Sequence, residues 1–225
     1  MKQYLPPQIF DTIQRHLIRV GDLAQEGWEA GESEEDTLTG HLGGQLQRRW
    51  SRSILIDGDR WRWRVTYKKF RGRGPRAFEK ASGADGIVQI EIDLVDQGES
   101  VNKGILFQAK KGDIRRNKEL REQVQDMESL APNGSAVFLY GPDRYRAIEG
   151  QTYLNELRTD ARILRDKVSG LGSFLGNEFL PCNSGIQGMY YDALRRNLII
   201  PTATGSPRVL RVDLHHRISV DVTKE

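Results

Sequence analysis

Cysteine is almost absent from this chain: Cys182 is the single one in 225 residues. An internal disulfide is excluded, and so are paired-cysteine zinc sites and the stapled scaffolds of small secreted domains. A reducing compartment fits, and a buried, inert thiol is the expected role of Cys182. Long apolar runs are missing too, with none near the roughly 20 residues of a membrane span. The opening MKQYLPPQIFDTIQRH lacks a signal-peptide apolar core, so a cytoplasmic protein without a membrane partner is expected. Excess charge of one sign is scarce, with 34 Lys and Arg against 31 Asp and Glu, a formal net charge of +3. Global charge therefore gives no argument for a nucleic-acid partner. Of the 4 histidines, His215 and His216 are adjacent, face opposite ways on a strand and make a poor metal pair. There is no internal repeat or low-complexity tract. The length suits one large domain, or one domain with an appended subdomain.

What is present is concentrated in GADGIVQIEIDLVDQGESVNKGILFQAKK, residues 83–111. Val88, Ile90, Ile92 and Leu94 alternate with Gln89, Glu91 and Asp93, the period of a half-buried strand. DQGES, followed by Asn102 and Gly104, is turn-forming. Ile105 to Lys110 then predicts a second, more buried strand. Two antiparallel strands joined this way return Gln108 and Lys110 towards Asp85. Gln108 and Lys110 share one face, and Ala109 points to the core. A carboxylate, an amide oxygen and an ammonium at neighbouring strand ends suit divalent-metal phosphodiester hydrolysis. The competing account is structural: Asp85 as a turn residue between glycines, and Gln108 and Lys110 on a solvated edge strand. Glu91 and Asp93 are expected to be solvated strand carboxylates.

Asp85 with Gln108-Ala109-Lys110 resembles the motif of the PD-(D/E)XK nuclease superfamily, most nearly its Mrr-like restriction endonuclease branch, which carries Q-x-K. The similarity continues through the glycine-flanked Asp, a following helix and the apolar strand Ser135–Tyr140, over roughly residues 30–150. The resemblance implies an α/β restriction-endonuclease-like three-layer sandwich, a mixed central β-sheet flanked by helices. It implies a catalytic set of Glu35, Asp85, Gln108 and Lys110, with Mg²⁺ (or Mn²⁺) held by Asp85, Gln108 and the Ala109 carbonyl. The upstream glutamate is Glu34 or Glu35. General grounds leave a helix-start carboxylate equally explained by the helix dipole, and the resemblance favours Glu35. The expected function is Mg²⁺-dependent endonuclease cleavage of DNA, double-stranded by preference, in bacterial defence. A homodimer or higher oligomer would cut both strands, and an activating partner or ligand is compatible with this class. Residues 1–170 are expected to form the nuclease core with its N-terminal helix, and residues 171–225 a loop-and-strand extension packed on the same domain.

A second segment supports a polyanion partner. Asp57-Gly58 signals a hairpin, and RWRWRVTYK follows with apolar residues on one face and Arg60, Arg62, Arg64 and Lys68 on the other. The chain then runs into the basic loop KKFRGRGPR. Lys68, Lys69, Arg71, Arg73 and Arg76 are the expected phosphate contacts, because so many like charges repel without a polyanion. Phe70 is a candidate for base stacking on a single strand, and Trp61 and Trp63 are expected in the core.

Elsewhere, apolar spacing predicts a helix after Pro6-Pro7 and another capped by Ser33 that carries Leu38, Leu42 and Leu46. Gly40, Gly43 and Gly44 signal either an early end to that helix or a close neighbour. Further helices are expected over about 113–130, with Arg115 and Arg116 near its start, and over 151–167. A long loop is expected over about 170–188, short strands around residues 190 and 199, and a final strand over 209–222. Two other functional classes stay open: a non-catalytic nucleic-acid-binding subunit, and a nuclease of branched DNA or RNA.

Overall fold

The computed structural model describes residues 5–31, 34–70, 78–112, 114, 117–156, 166–202 and 206–211. Helix α1 (Pro7–Gln25) starts with Pro7 in its first turn, where a missing N–H is harmless. It buries Ile9, Ile13, Leu17 and Val20 at helical spacing. A short α2 (Trp28–Gly31) leads to α3 (Glu35–Leu46). The N-cap of α3 is Glu34, without a side-chain capping bond, so the cap expected at Ser33 is displaced by one residue. Ser33 itself lies outside the described residues. The glycines do not end α3. A Cβ on Gly43 would lie 2.3 Å from the Tyr67 ring, so a strand does approach the helix there, while Gly40 and Gly44 face open space.

Strands β1 (Ile54–Ile56) and β2 (Asp59–Lys69) form the expected hairpin. Its turn has φ 52° at Asp57 and 91° at Gly58, the two positive values of a type I′ turn. After α4 (Phe78–Ser82) come β3 (Gly86–Leu94) and β4 (Glu99–Lys111), antiparallel over nine residue pairs from Gly86–Phe107 to Leu94–Glu99. Helix α5 (Lys118–Leu130) then crosses over to β5 (Ser135–Tyr140), which runs parallel to β4. That crossover is what a parallel neighbour requires. The helix begins at Lys118, later than the spacing predicts, because the Asn117 side chain caps it by accepting the Leu120 N–H at 2.9 Å. Arg115 and Arg116 lie outside the described residues.

Strand β6 (Arg146–Glu149), α6 (Gly150–Glu156) and β7 (Ser169–Gly170) follow. Residues 157–165 of the expected 151–167 helix are outside the described residues. Strand β8 (Ile186–Gln187) pairs with β4 at Lys103 and Gly104 and completes a mixed eight-stranded sheet, ordered β1-β2-β3-β4-β5-β6-β7 with β8 off that path. Alternation along the strands divides the core. Val88, Ile90, Ile105, Phe107 and Ala109 pack with α1 and α3 on one face. Ile87, Leu106 and Val137 pack with α4, α5 and α6 on the other. The arrangement is α/β with helices on both faces of a mixed sheet.

The segment expected to be a loop is instead a helix, α7 (Leu171–Phe174), running into a π-helical turn, Leu175–Phe179. Leu171, Phe174, Leu175 and Phe179 are all buried against α1. Its glycines serve contact: a Cβ on Gly172 would lie 2.1 Å from the Ile18 carbonyl oxygen. Cys182 is exposed just beyond it, at φ 82°, which corrects the buried role expected of it: the turn that ends the helix carries it out of the core. Strands β9 (Tyr190–Asp192), β10 (Asn197–Ile200) and β11 (Arg208–Arg211) form a separate antiparallel sheet, whose Tyr191, Leu198 and Leu210 join the α5 side of the core. Residues 212–225, with His215 and His216, lie outside the described residues.

Candidate active site

Asp85 sits one residue before β3, and extending the register of Gly86 with Phe107 sets it opposite Gln108. Its backbone is fixed on both sides: its N–H donates to the Phe107 carbonyl at 2.8 Å, and its carbonyl accepts the Phe70 N–H at 2.7 Å. The flanking glycines are required by packing. A Cβ on Gly83, at φ 69°, would lie 2.1 Å from the Gln123 carbonyl oxygen, and one on Gly86 would lie 2.4 Å from the Lys68 carbonyl oxygen. Asp85 is thus more than a solvent-facing turn residue.

The N–H and C=O of one strand residue point to the same neighbour. β3 begins at Gly86, so Ala109 has no strand residue opposite on that side. Its N–H donates instead to Asp85 Oδ2 at 2.8 Å, and its carbonyl points to the same side of the strand. The Gln108 side chain is 2% exposed. Its amide nitrogen reaches the Ala109 carbonyl at 3.5 Å, the outer limit of a hydrogen bond. Its Oε1 is buried with no hydrogen-bond partner among the described residues. Leaving such an oxygen unsatisfied costs about 1–3 kcal/mol.

Lys110 lies further along the same edge. Its Nζ is 3.4 Å from Glu35 Oε1, and Glu35 Oε2 accepts the Lys111 N–H at 2.9 Å. Of the two upstream glutamates, Glu35 faces the strand end and Glu34 is exposed. Beneath Glu35, Thr39 donates to its carbonyl at 2.7 Å, and buried Tyr140 donates to Thr39 Oγ1 at 3.1 Å. The helix is therefore locked to the sheet at this point.

Burial pushes the Asp85 carboxyl up to about 6. The Ala109 N–H opposes that rise, Glu79 adds to it, Lys110 opposes it and Glu35 adds to it. Burial also raises Glu79 on α4, against the pull of Lys69 and Lys110. Glu79 is a member of the cluster that motif spacing does not reveal, because it lies on a one-turn helix after the basic loop. Asp36 is another, ion-paired with Lys69.

Of the expected phosphate contacts, Lys68 is exposed and Lys69 is tied to Asp36. Arg71, Arg73 and Arg76 lie outside the described residues. The strand cations Arg62 and Arg64 pair with Asp93 and Glu91, the first at 2.7 Å, which takes those carboxylates out of the solvated role expected of them. Phe70 is fully buried with its ring 4.6 Å from that of Phe78, so it has no face to offer a base. Trp63 is buried as expected, and Trp61 is half-buried against the same core.

Among the described residues no three His, Cys, Asp or Glu side chains gather into a metal cage. The oxygens available at the Asp85 strand end are of another kind: one carboxylate, one amide oxygen and one backbone carbonyl. The orphaned Gln108 Oε1 and the desolvated Asp85 carboxylate fit a hard cation that keeps most of its own waters. No family model, curated protein or solved structure matches this chain. Among the described residues no helix is long and apolar enough to cross a membrane.

Proposed function

We propose that the chain is a metal-dependent nuclease on a restriction-endonuclease-like sheet, hydrolysing phosphodiester bonds of DNA. The observation that carries the reading is the Asp85 carboxylate bonded to the Ala109 N–H at 2.8 Å, next to Gln108, whose buried Oε1 has no hydrogen-bond partner among the described residues. Asp85, Gln108 and the Ala109 carbonyl would hold Mg²⁺ or Mn²⁺. When bound, the ion supplies Lewis-acid polarisation of a phosphoryl oxygen and a more acidic water.

The protein's own groups do the rest. Lys110 places a positive charge where negative charge develops on the phosphate, in a half-buried position where that charge acts strongly. Glu35 is a positioning residue, holding the Lys110 ammonium and the Lys111 backbone at once. Gln108, in place of a second acid, lowers the negative charge of the site, so weaker metal affinity is expected than from two carboxylates. Restriction of foreign DNA is the biological setting that this resemblance suggests, by association alone.

Supercoiled plasmid, linear duplex, branched DNA and RNA, assayed together with Mg²⁺, Mn²⁺ or chelator, test the reading. Cleavage of plasmid and linear duplex with either metal, and none with chelator, is expected. Preferential cutting of branched DNA or RNA would move the substrate class. Cleavage that persists in chelator would remove the metal from the account.

A further inference from the structure

One cleft of the molecule is unused by the chemistry above. It has a volume of about 840 Å³ and runs along the end of β2 from Arg64 to Lys69 and on to Phe70, walled on the far side by Tyr190 and Tyr191 of β9 and by Arg196 in the turn after it. Residues 64–70, all but the last in β2, extend about 20 Å. The cleft opens beside the candidate active site. Lys69 lines it and also pairs with Asp36, and the Phe70 N–H that ends it donates to the Asp85 carbonyl.

Its charge suits a polyanion. Arg64, Lys68, Lys69 and Arg196 line it against two carboxylates, Glu91 and Asp192. Glu91 is taken up by Arg64. Lys68 Nζ stands 5.3 Å from the Tyr191 ring and is otherwise directed to solvent. Two of the aromatic rings at the cleft are closed to unpaired bases, while Tyr190 is half-buried. Tyr191 is 8% exposed and Phe70 wholly buried, so neither can serve as a stacking platform for unpaired bases.

At the rim stands the hairpin between β9 and β10. Asp192 Oδ1 accepts the N–H groups of Leu194 at 2.9 Å and Arg195 at 3.0 Å, and Arg196 closes the four-residue turn at φ 57°. Leu194 at its tip is 96% exposed. A lone exposed leucine needs no explanation. This one is held out on a braced turn, followed directly by two arginines, at the lip of a cationic cleft. Apolar tips flanked by cations are what proteins insert at a base step of a bent duplex.

We propose that this cleft is the duplex-binding groove, with Lys68 and Arg196 on the phosphates and Leu194 as a wedge against a base step. The proposal rests on duplex DNA being the substrate of the Asp85 site. It extends the phosphate contacts from the basic loop to a hairpin nearly 130 residues further along the chain.

Fluorescence anisotropy in chelator, with a labelled duplex of about 25 base pairs, tests it on the wild-type chain and on Lys68→Ala, Arg196→Ala, Leu194→Ala and, as a control on α1, Arg19→Ala. Lys68→Ala and Arg196→Ala are expected to weaken binding about 5–10-fold and to lower the salt slope by about one each. Leu194→Ala should leave the salt slope unchanged and remove the rise in 2-aminopurine fluorescence that marks unstacking in the bound duplex. Failure of the wild type to bind duplex overturns the proposal. So does a response of Lys68→Ala and Arg196→Ala no larger than that of Arg19→Ala, and so does tighter binding of single strand without any 2-aminopurine signal. Because no step needs cleavage, a failure of the wild type to bind duplex is distinguishable from a failure of the Asp85 site to cut it.

Discussion

Lys110→Ala is expected to cut DNA about 10³-fold more slowly than the wild type, the scale of removing one preorganised charge from a developing oxyanion. Its affinity for duplex in chelator changes little. The ammonium is a single charge, held by Glu35 at 3.4 Å, among the many that a cationic surface offers to DNA. Losing it therefore acts on the transition state more than on the bound duplex. Single-turnover plasmid cleavage beside anisotropy separates the two effects. Lys110→Arg restores the charge without the compact ammonium geometry and recovers only part of the rate. A Lys110→Ala variant whose cleavage and binding fall by the same factor would make Lys110 a binding residue and no more. The side chain is half-buried at a strand end, so folding should survive its removal.

Asp85→Asn is expected to stabilise the protein in chelator at pH 8, and to do so less and less as the pH falls. The sign follows from the direction of the shift. The folded-state carboxyl is raised by burial to about 6, from an ordinary 3.8. A group raised in this way lends stability to the fold that is fully present below the unfolded value and lost as pH rises through the folded one. At pH 8 the wild type therefore bears the full penalty of a buried carboxylate, on the order of 2–3 kcal/mol. Asparagine escapes it, and its amide oxygen can still accept the Ala109 N–H. Thermal melts in chelator should show the variant higher by roughly 5 °C at pH 8, with the gap closing by about pH 4. Adding Mg²⁺ or Mn²⁺ should raise the wild type alone, because binding to the folded state is what stabilises it. Equal melting of both proteins at pH 8 in chelator would mean that Asp85 bears no desolvation penalty.

The central ribbon is the part of the fold that the sequence makes legible. Val88, Ile90 and Ile92 alternate cleanly because one face of β3 lies on the α1 and α3 side of the core. Asp57-Gly58 reports a hairpin because only positive φ closes it. Ala109 lies in the core as its middle place in the triplet Gln108-Ala109-Lys110 predicts, because a period of two leaves no choice about which residues share a face. What escapes the reading is long-range partnership. Gly172 and Gly176 look like loop residues, yet they let a helix lie against α1 at Ile18. Phe70 looks available for stacking until α4 and the small sheet cover it. Arg62 and Arg64 look like a free basic face until β3 sets Asp93 and Glu91 beside them. Glu79 joins the site because α4 folds back over it, which no local pattern announces. In each case the deciding neighbour is distant in sequence, and period and propensity carry no information about it.

Single-turnover cleavage of supercoiled plasmid in Mg²⁺ by the wild type and by Asp85→Ala, each paired with a chelator control, reaches the central claim most directly. Cutting by the wild type with metal only is expected, and a loss of at least about 10³-fold in a variant that still melts cooperatively. Asp85→Ala cutting plasmid at the wild-type rate would contradict it.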